Sequence, residues 1–363
     1  MASVTGDHTA FLYNEDFLKY RFGDTHPYQS QRGKCTKELL ESLGIFGGNA
    51  IVYPTQPALE EDLLMVHSID HIDYVRKKCQ SGKGTLDLGD TPATPTLYEG
   101  SLAAVGASLD GVDGILQGRF LHAFNPGGGH HHARANCSAG FCVFNDVALA
   151  VRHAQRRHGL ERIAVIDTDG HHGDGTQSIF YNEKVLTISL HHYTKGFYPG
   201  TGSSAEVGSG YGAGYSINLP LPAQTGDTTY IKAFEEVAIT ALKEYRPEMI
   251  VHQFGVDGHY TDPLVGLGLT TRGYERLAKV THGAAHELCN GQYLVAGGGG
   301  YNPEAATRCW AIMFCTISGV FPKDPARYEA LHDKETPKEP PGVAREVEKM
   351  VDQIKAEVLP LIK

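Results

Sequence analysis

The stretch richest in potential chemistry is Asp167-Thr-Asp-Gly-His-His-Gly-Asp-Gly, where Asp167, Asp169 and His171 recur at every second position. An extended segment puts residues i, i+2 and i+4 on one face, so two carboxylates and an imidazole converge. Burying that cluster uncompensated is costly, and a divalent cation of the zinc type, which accepts mixed oxygen and nitrogen ligands, relieves the cost. Asp257, in Gly255-Val-Asp257, can complete the set and leave one coordination position open, the mark of a catalytic site. Taken singly, each residue has a plainer reading: Asp169 and His171 as a turn with a helix cap, Asp257 as part of an Asp-Gly turn. Their combination carries the metal reading.

A tandem His131-His132 follows three glycines in Asn125-Pro-Gly-Gly-Gly-His-His-His. Glycines let the backbone approach a ligand closely, and two adjacent imidazoles suit a general base and a general acid. Each needs an orienting carboxylate, and Asp167 and Asp174 are the available partners. The competing reading is a surface histidine tract that binds metal adventitiously. Tyr301, after the four glycines 297–300, is placed to donate its hydroxyl to a developing oxyanion. In isolation it is a flexible turn ending in a packed aromatic.

These residues need a scaffold that gathers them. Each group follows an apolar run: Phe120 to Phe124, Arg162 to Ile166, Met249 to Phe254, and Gln292 to Ala296. Helical periodicity precedes the last three, over Asn145 to His158, Tyr230 to Tyr245 and Tyr274 to Leu288. Such alternation predicts an α/β fold with a mostly parallel central sheet and helices on both faces. In such sheets ligands bind beyond the carboxyl ends of the strands, so all four groups are expected in one cleft.

The 363 residues show no low-complexity linker before residue 320 and no solenoid period, which predicts one catalytic domain over 1–363. From about 333 to 363 the prolines and then the charged helical pattern Ala344 to Val358 read as a C-terminal strap and helix, or as an interaction segment. A formal charge of -10 without a basic stripe argues against nucleic-acid partners. Seven scattered cysteines without a Cys-x-x-Cys pair read as reduced residues of a cytoplasmic protein. Met1-Ala-Ser-Val-Thr-Gly-Asp lacks the pattern of an export signal, and no apolar run reaches membrane-spanning length.

With these residues assembled, the chain resembles the zinc-dependent histone deacetylase family, in particular its prokaryotic acetoin-utilisation branch, over roughly residues 10 to 320. The resemblance rests on Pro126-Gly-Gly-Gly-His-His-His-Ala133, Ser138-Ala-Gly-Phe-Cys-Val-Phe-Asn-Asp146, Asp167 to Gly175, Phe197-Tyr-Pro-Gly-Thr-Gly202 and Gly297 to Asn302, in family order. It implies an arginase/deacetylase fold, one catalytic zinc at Asp169, His171 and Asp257, paired catalytic histidines at His131 and His132, and Tyr301 as transition-state donor. It further implies a structural potassium ion at Asp167, Asp169, His171, Ser189 and Leu190. Phe141 and Tyr198 resemble the aromatic walls of an acyl-lysine tunnel, Leu264 its apolar lip, Gly140 a carbonyl contact near its base, and Asp90 a rim aspartate that holds the substrate backbone. Arg32 resembles an arginine that gates an internal channel. His130 departs from the pattern, standing where an apolar or aromatic residue is usual, which implies a more polar exit route. Tyr198 also departs, adding a hydroxyl to the more common phenylalanine.

The function implied is hydrolysis of an acyl-amide, most directly deacylation of an acyl-lysine in a peptide or protein. Rival readings are an acetylpolyamine or other small-amine amidohydrolase, an arginase-like enzyme, and a non-catalytic acyl-lysine binder. An arginase would need further aspartate ligands for a second metal. A binder would have lost a ligand, a catalytic histidine or the tyrosine, and the sequence keeps them all.

Overall fold

The computed structural model describes residues 8–362, so the reading of Met1 to Asp7 lies outside the described residues. Eight strands form one sheet: β1 (Thr9–Tyr13), β2 (Ala50–Pro54), β3 (His122–Asn125), β4 (Ile163–Asp167), β5 (Leu186–His192), β6 (Ser216–Leu221), β7 (Met249–Gln253) and β8 (Tyr293–Ala296). Their order is β2-β1-β3-β8-β7-β4-β5-β6, and every ladder is parallel. Seven strands are buried along their whole length, as expected when crossover helices cover both faces. Only the edge strand β2 is half-buried.

The four strands whose ends carry the candidate chemistry, β3, β8, β7 and β4, are consecutive at the centre of the sheet. Their carboxyl ends therefore deliver four loops to one place. The predicted helix over 145–158 forms as Asp146–His158, with the Asn145 side chain accepting from the Ala148 amide and Gly159 closing it at φ 73°. The predicted helix over 274–288 forms as Thr271–Cys289. The predicted single helix over 230–245 differs: α-helix Asp227–Phe234 passes through a π-helical turn, Glu235–Ile239, before α-helix Thr240–Tyr245.

Strands β1, β2, β5 and β6 and the helix Leu97–Leu116 have no counterpart in the sequence reading. That helix is buried nearly all round, so it lacks the apolar stripe that marks a surface helix. Gly100 and Gly106 let it lie directly on the backbone at Tyr20 and at Gln56 to Ala58, where a side chain would collide.

The C-terminal strap is stitched into the body. The Asp333 side chain is almost fully covered, and its carboxylate accepts from His259 Nε2 (2.9 Å), the Thr271 amide (2.8 Å) and Arg308 (2.9 Å). Glu339 accepts from the Gly226 amide at 2.8 Å. The helix Val343–Glu357 then packs across the edge strand β6 and the helix Asp227–Phe234, covering an edge that would otherwise invite pairing. Among the described residues, no helix is long and apolar enough to cross a membrane.

Candidate active site and metal centre

The loop after β4 and the loop after β7 bring Asp169, His171 and Asp257 together, with one donor atom from each within 4.8 Å of the others. His171 Nδ1 lies 2.9 Å from Asp257 Oδ2 and 3.2 Å from Asp169 Oδ1. All three side chains are buried. Burial together with the Asp169 charge pushes the Asp257 carboxyl up to about 8. Two carboxylates and an imidazole nitrogen forced to one buried point form a donor set that fits a divalent cation of the zinc type.

The ligands are themselves held. Asp169 Oδ2 accepts from Gln253 Nε2 and from the Gly299 amide, each at 2.8 Å. Asp257 Oδ1 accepts from the Gly170 amide at 2.6 Å. Such supports fix ligand orientation. Phe197 stacks on the His171 ring, 5.1 Å between centroids and 8° from parallel.

His131 and His132 sit beside this cluster with their Nε2 atoms 3.1 Å apart. His131 Nδ1 is 2.7 Å from Asp167 Oδ2, and His132 Nδ1 is 2.7 Å from Asp174 Oδ1, so the two expected dyads are present. They are not equivalent. Asp174 also accepts from Arg134 Nη2 at 2.8 Å, which neutralises part of its charge, whereas His131 feels both Asp167 and Asp169. Burial disfavours the His131 imidazolium, but those carboxylates outweigh it and raise its pKa to about 9. Burial and neighbouring His131 hold His132 down to about 4. The pair is therefore poised with the proton on His131 and a neutral His132.

Tyr301 leaves β8 through the glycine run. Its amide donates to Asp262 Oδ2 at 2.7 Å, and its ring lies edge-on to Phe141 (5.8 Å) and His171 (6.2 Å). Phe141 and Gly140 both have left-handed backbone, φ 65° and 52°. For a phenylalanine that is strained, and neighbours hold it there. The Phe141 amide donates to Thr91 Oγ1 (3.1 Å), and its carbonyl accepts from the Tyr20 hydroxyl (2.6 Å). Tyr198 lies edge-on to His132 at 5.0 Å, and its hydroxyl occupies the space a side chain at Gly140 would need.

Outside these walls is a cleft of about 760 Å³, lined by Asp87, Asp90, Arg134, Gly140, Asp174 and Tyr198 among others. Leu264, 40% exposed, is not among the residues that line it. Asp90 is at the rim, and burial together with Asp87 pushes its carboxyl up to about 6.

Beneath the tandem histidines lies a hollow of about 20 Å³, room for about one water, bounded by Tyr28, His130, His131, His132, Cys142 and Tyr301. His130 stacks on Tyr20 (4.4 Å), and its amide donates to Asp146 (2.8 Å). Arg32 stands behind this hollow. It stacks on Tyr28 (4.7 Å) and Trp310 (4.9 Å) and donates to the Gly300 carbonyl at 2.8 Å. A second hollow of about 10 Å³ is shared by Asp167 and Ser189, with Thr176, Gln177, Thr187 and Asn218 among its walls. Its oxygen-rich lining suits a small hard cation. The Leu190 carbonyl accepts from the Tyr230 hydroxyl at 3.4 Å.

Several contributors went unmarked in the sequence. Gln253, Asp262 and Arg134 have no motif of their own and matter only through what they touch. His26 joins the rim to the wall, with Nε2 3.1 Å from the Asp90 carbonyl and its ring 4.5 Å from Phe141. Asp146 lay inside a recognised motif, and its carboxylate accepts from the Gly129 and His130 amides.

The fold and the deacetylase domain match define a hydrolase with the arginase/deacetylase α/β fold. The histone deacetylase domain model matches residues 26–317. The acetoin utilization protein AcuC of Bacillus subtilis (strain 168) is 37% identical over 324 residues, covering 86% of this chain and 83% of its own. A probable deacetylase of Archaeoglobus fulgidus is 36% identical over 304 residues, 82% of each chain. The solved HD domain of HDA15 superposes with a TM-score of 0.84 at 30% identity, over 98% of each chain. The chain belongs to the histone deacetylase family, in its acetoin-utilisation-type branch.

Proposed function

We propose that this protein is a zinc-dependent lysine deacylase that hydrolyses the acyl-amide of acylated lysine in a peptide or protein. The observation that carries the reading is the placement of the buried Asp169, His171 and Asp257 set against two unequal His-Asp dyads, with Asp174 of the second dyad bordering the cleft beside Tyr198. Zinc bound by those three residues supplies a Lewis acid for the amide carbonyl and acidifies a water. Neutral His132 takes the proton at Nε2 as water attacks and returns it to the departing amine. His131, kept cationic by Asp167, stabilises the developing negative charge, and the Tyr301 hydroxyl donates to the oxyanion. Asp174 and Asp167 fix the two imidazole tautomers.

Asp90 on the rim of a wide cleft favours a peptide backbone over a small amine. Phe141 and Tyr198 wall the acyl-lysine stem, with Gly140 at its base. His130 and the Tyr28–Arg32 pair make the route beyond the tandem histidines polar. A potassium ion at Asp167, Asp169, His171, Ser189 and Leu190 is the structural counterpart of the zinc. The unpaired state of all seven cysteines supports a reducing, cytoplasmic setting. The chain acts as one catalytic domain over 1–363, with about 333–363 as its strap and helix.

The test is turnover by zinc-reconstituted protein on acyl-lysine peptides and acetylated polyamines in one panel, with His132→Ala as control. Faster turnover of peptides, lost in the variant, is expected. Preference for polyamines would move the substrate to a small acylated amine, and metal-dependent binding without turnover would overturn the hydrolase reading.

A further inference from the structure

A second histidine cluster stands at the amino-terminal end of β3, the opposite end of that strand from the candidate active site. His122 opens β3, whereas the catalytic loop leaves that strand at Asn125. His282 and His286 are one turn apart on the helix Thr271–Cys289 and share a face. His122 Nε2 is 2.9 Å from His282 Nε2, which is 3.0 Å from His286 Nε2. One potential ligand atom from each ring lies within 4.8 Å of the others.

Hydrogen bonding does not account for this arrangement. A neutral imidazole has one N–H and one in-plane lone pair, so a single nitrogen can satisfy only one of two such neighbours. His282 Nε2 faces two. Protonation of His282 does not rescue it, because the single N–H on Nε2 still faces both neighbours. Contrast the cluster of Asp113 with His153 and His158, where one carboxylate oxygen accepts from both rings at 2.7 and 2.6 Å, so the contacts between the three groups are accounted for.

We propose that His122, His282 and His286 form a second metal site, for a divalent transition ion of the zinc type, that clips the helix Thr271–Cys289 to the start of β3. Three imidazoles bound at about 2.0–2.1 Å in tetrahedral geometry place their nitrogens about 3.3 Å apart, so the His122–His282 and His282–His286 pairs need to spread by only a few tenths of an ångström. His122 is buried, His282 half-buried and His286 exposed, which leaves the fourth position to water on the solvent side. An all-imidazole set selects zinc, nickel or copper over magnesium or calcium.

The experiment counts zinc bound by metal-stripped protein at low-micromolar free zinc, using the wild type, Asp257→Ala and the double variant His282→Ala/His286→Ala. The double variant should bind one ion fewer than the wild type while keeping its turnover. In the Asp257→Ala background, cobalt should still give a visible absorption band and raise the melting temperature, and both effects should vanish when the two helix histidines are removed. Equal zinc content in the wild type and the double variant would overturn the proposal. So would a cobalt band in Asp257→Ala that survives loss of His282 and His286.

Discussion

Asp174→Asn should impair this enzyme far more than its effect on the fold would suggest. Asp174 Oδ1 holds His132 Nδ1 at 2.7 Å in a buried setting, and its other oxygen accepts from Arg134 at 2.8 Å. An amide of the same shape removes the charge and can present N–H where the imidazole needs an acceptor. That favours the tautomer with the proton on Nε2, the atom that must accept a proton from water. Losing one buried charge-assisted hydrogen bond costs about 1.5–3 kcal/mol, or about 10- to 150-fold in kcat/KM, and the wrong tautomer adds to it. Arg134, with 45% of its side chain exposed, is released to water, so Arg134→Ala should cost only about 0.2–1 kcal/mol, less than about 6-fold. The assay is kcat/KM against pH on an acetyl-lysine peptide at saturating zinc, with melting temperature as a check on folding. Removing the Asp174 charge also removes what raises the His132 pKa, so the acid limb should not move to higher pH. Asp174→Asn within threefold of the wild type, or Arg134→Ala equally damaged, would refute the reasoning.

Tyr301→Phe should lose about 10²- to 10³-fold in kcat with little change in KM if its hydroxyl donates only to the oxyanion, as steady-state kinetics can read. Asp90, with its carboxyl pushed up to about 6, is ionised above that pH and loses its charge below it. Peptide KM should therefore rise as pH falls through 6, and Asp90→Asn should raise KM at pH 7.5 and flatten that rise. A methyl at Gly106 would overlap the Gln56 carbonyl and the peptide of Pro57 and Ala58, so Gly106→Ala should destabilise the fold by about 1–3 kcal/mol and lower the melting temperature.

The sequence by itself determined which residues are candidates for the site and the kind of scaffold that gathers them. Asp167, Asp169 and His171 are legible because an extended chain has a fixed period of two, and the glycine runs mark where the backbone must turn tightly. The strands β4, β7 and β8 are legible because a parallel strand buried on both faces must be apolar throughout. Tertiary structure alone decided what depends on neighbours distant in the chain. The inequality of His131 and His132 comes from burial and the neighbouring His131 holding His132 down while Asp167 and Asp169 together raise His131, and no spacing in the sequence encodes that. Gln253 and Asp262 acquire their roles only when β7 and its following loop reach Asp169 and Tyr301. The convergence of His122 with His282 and His286 spans 160 residues, so it exists only once β3 and the helix Thr271–Cys289 have packed together. Local pattern fixes residue type and period, whereas electrostatics acts through space and follows the fold.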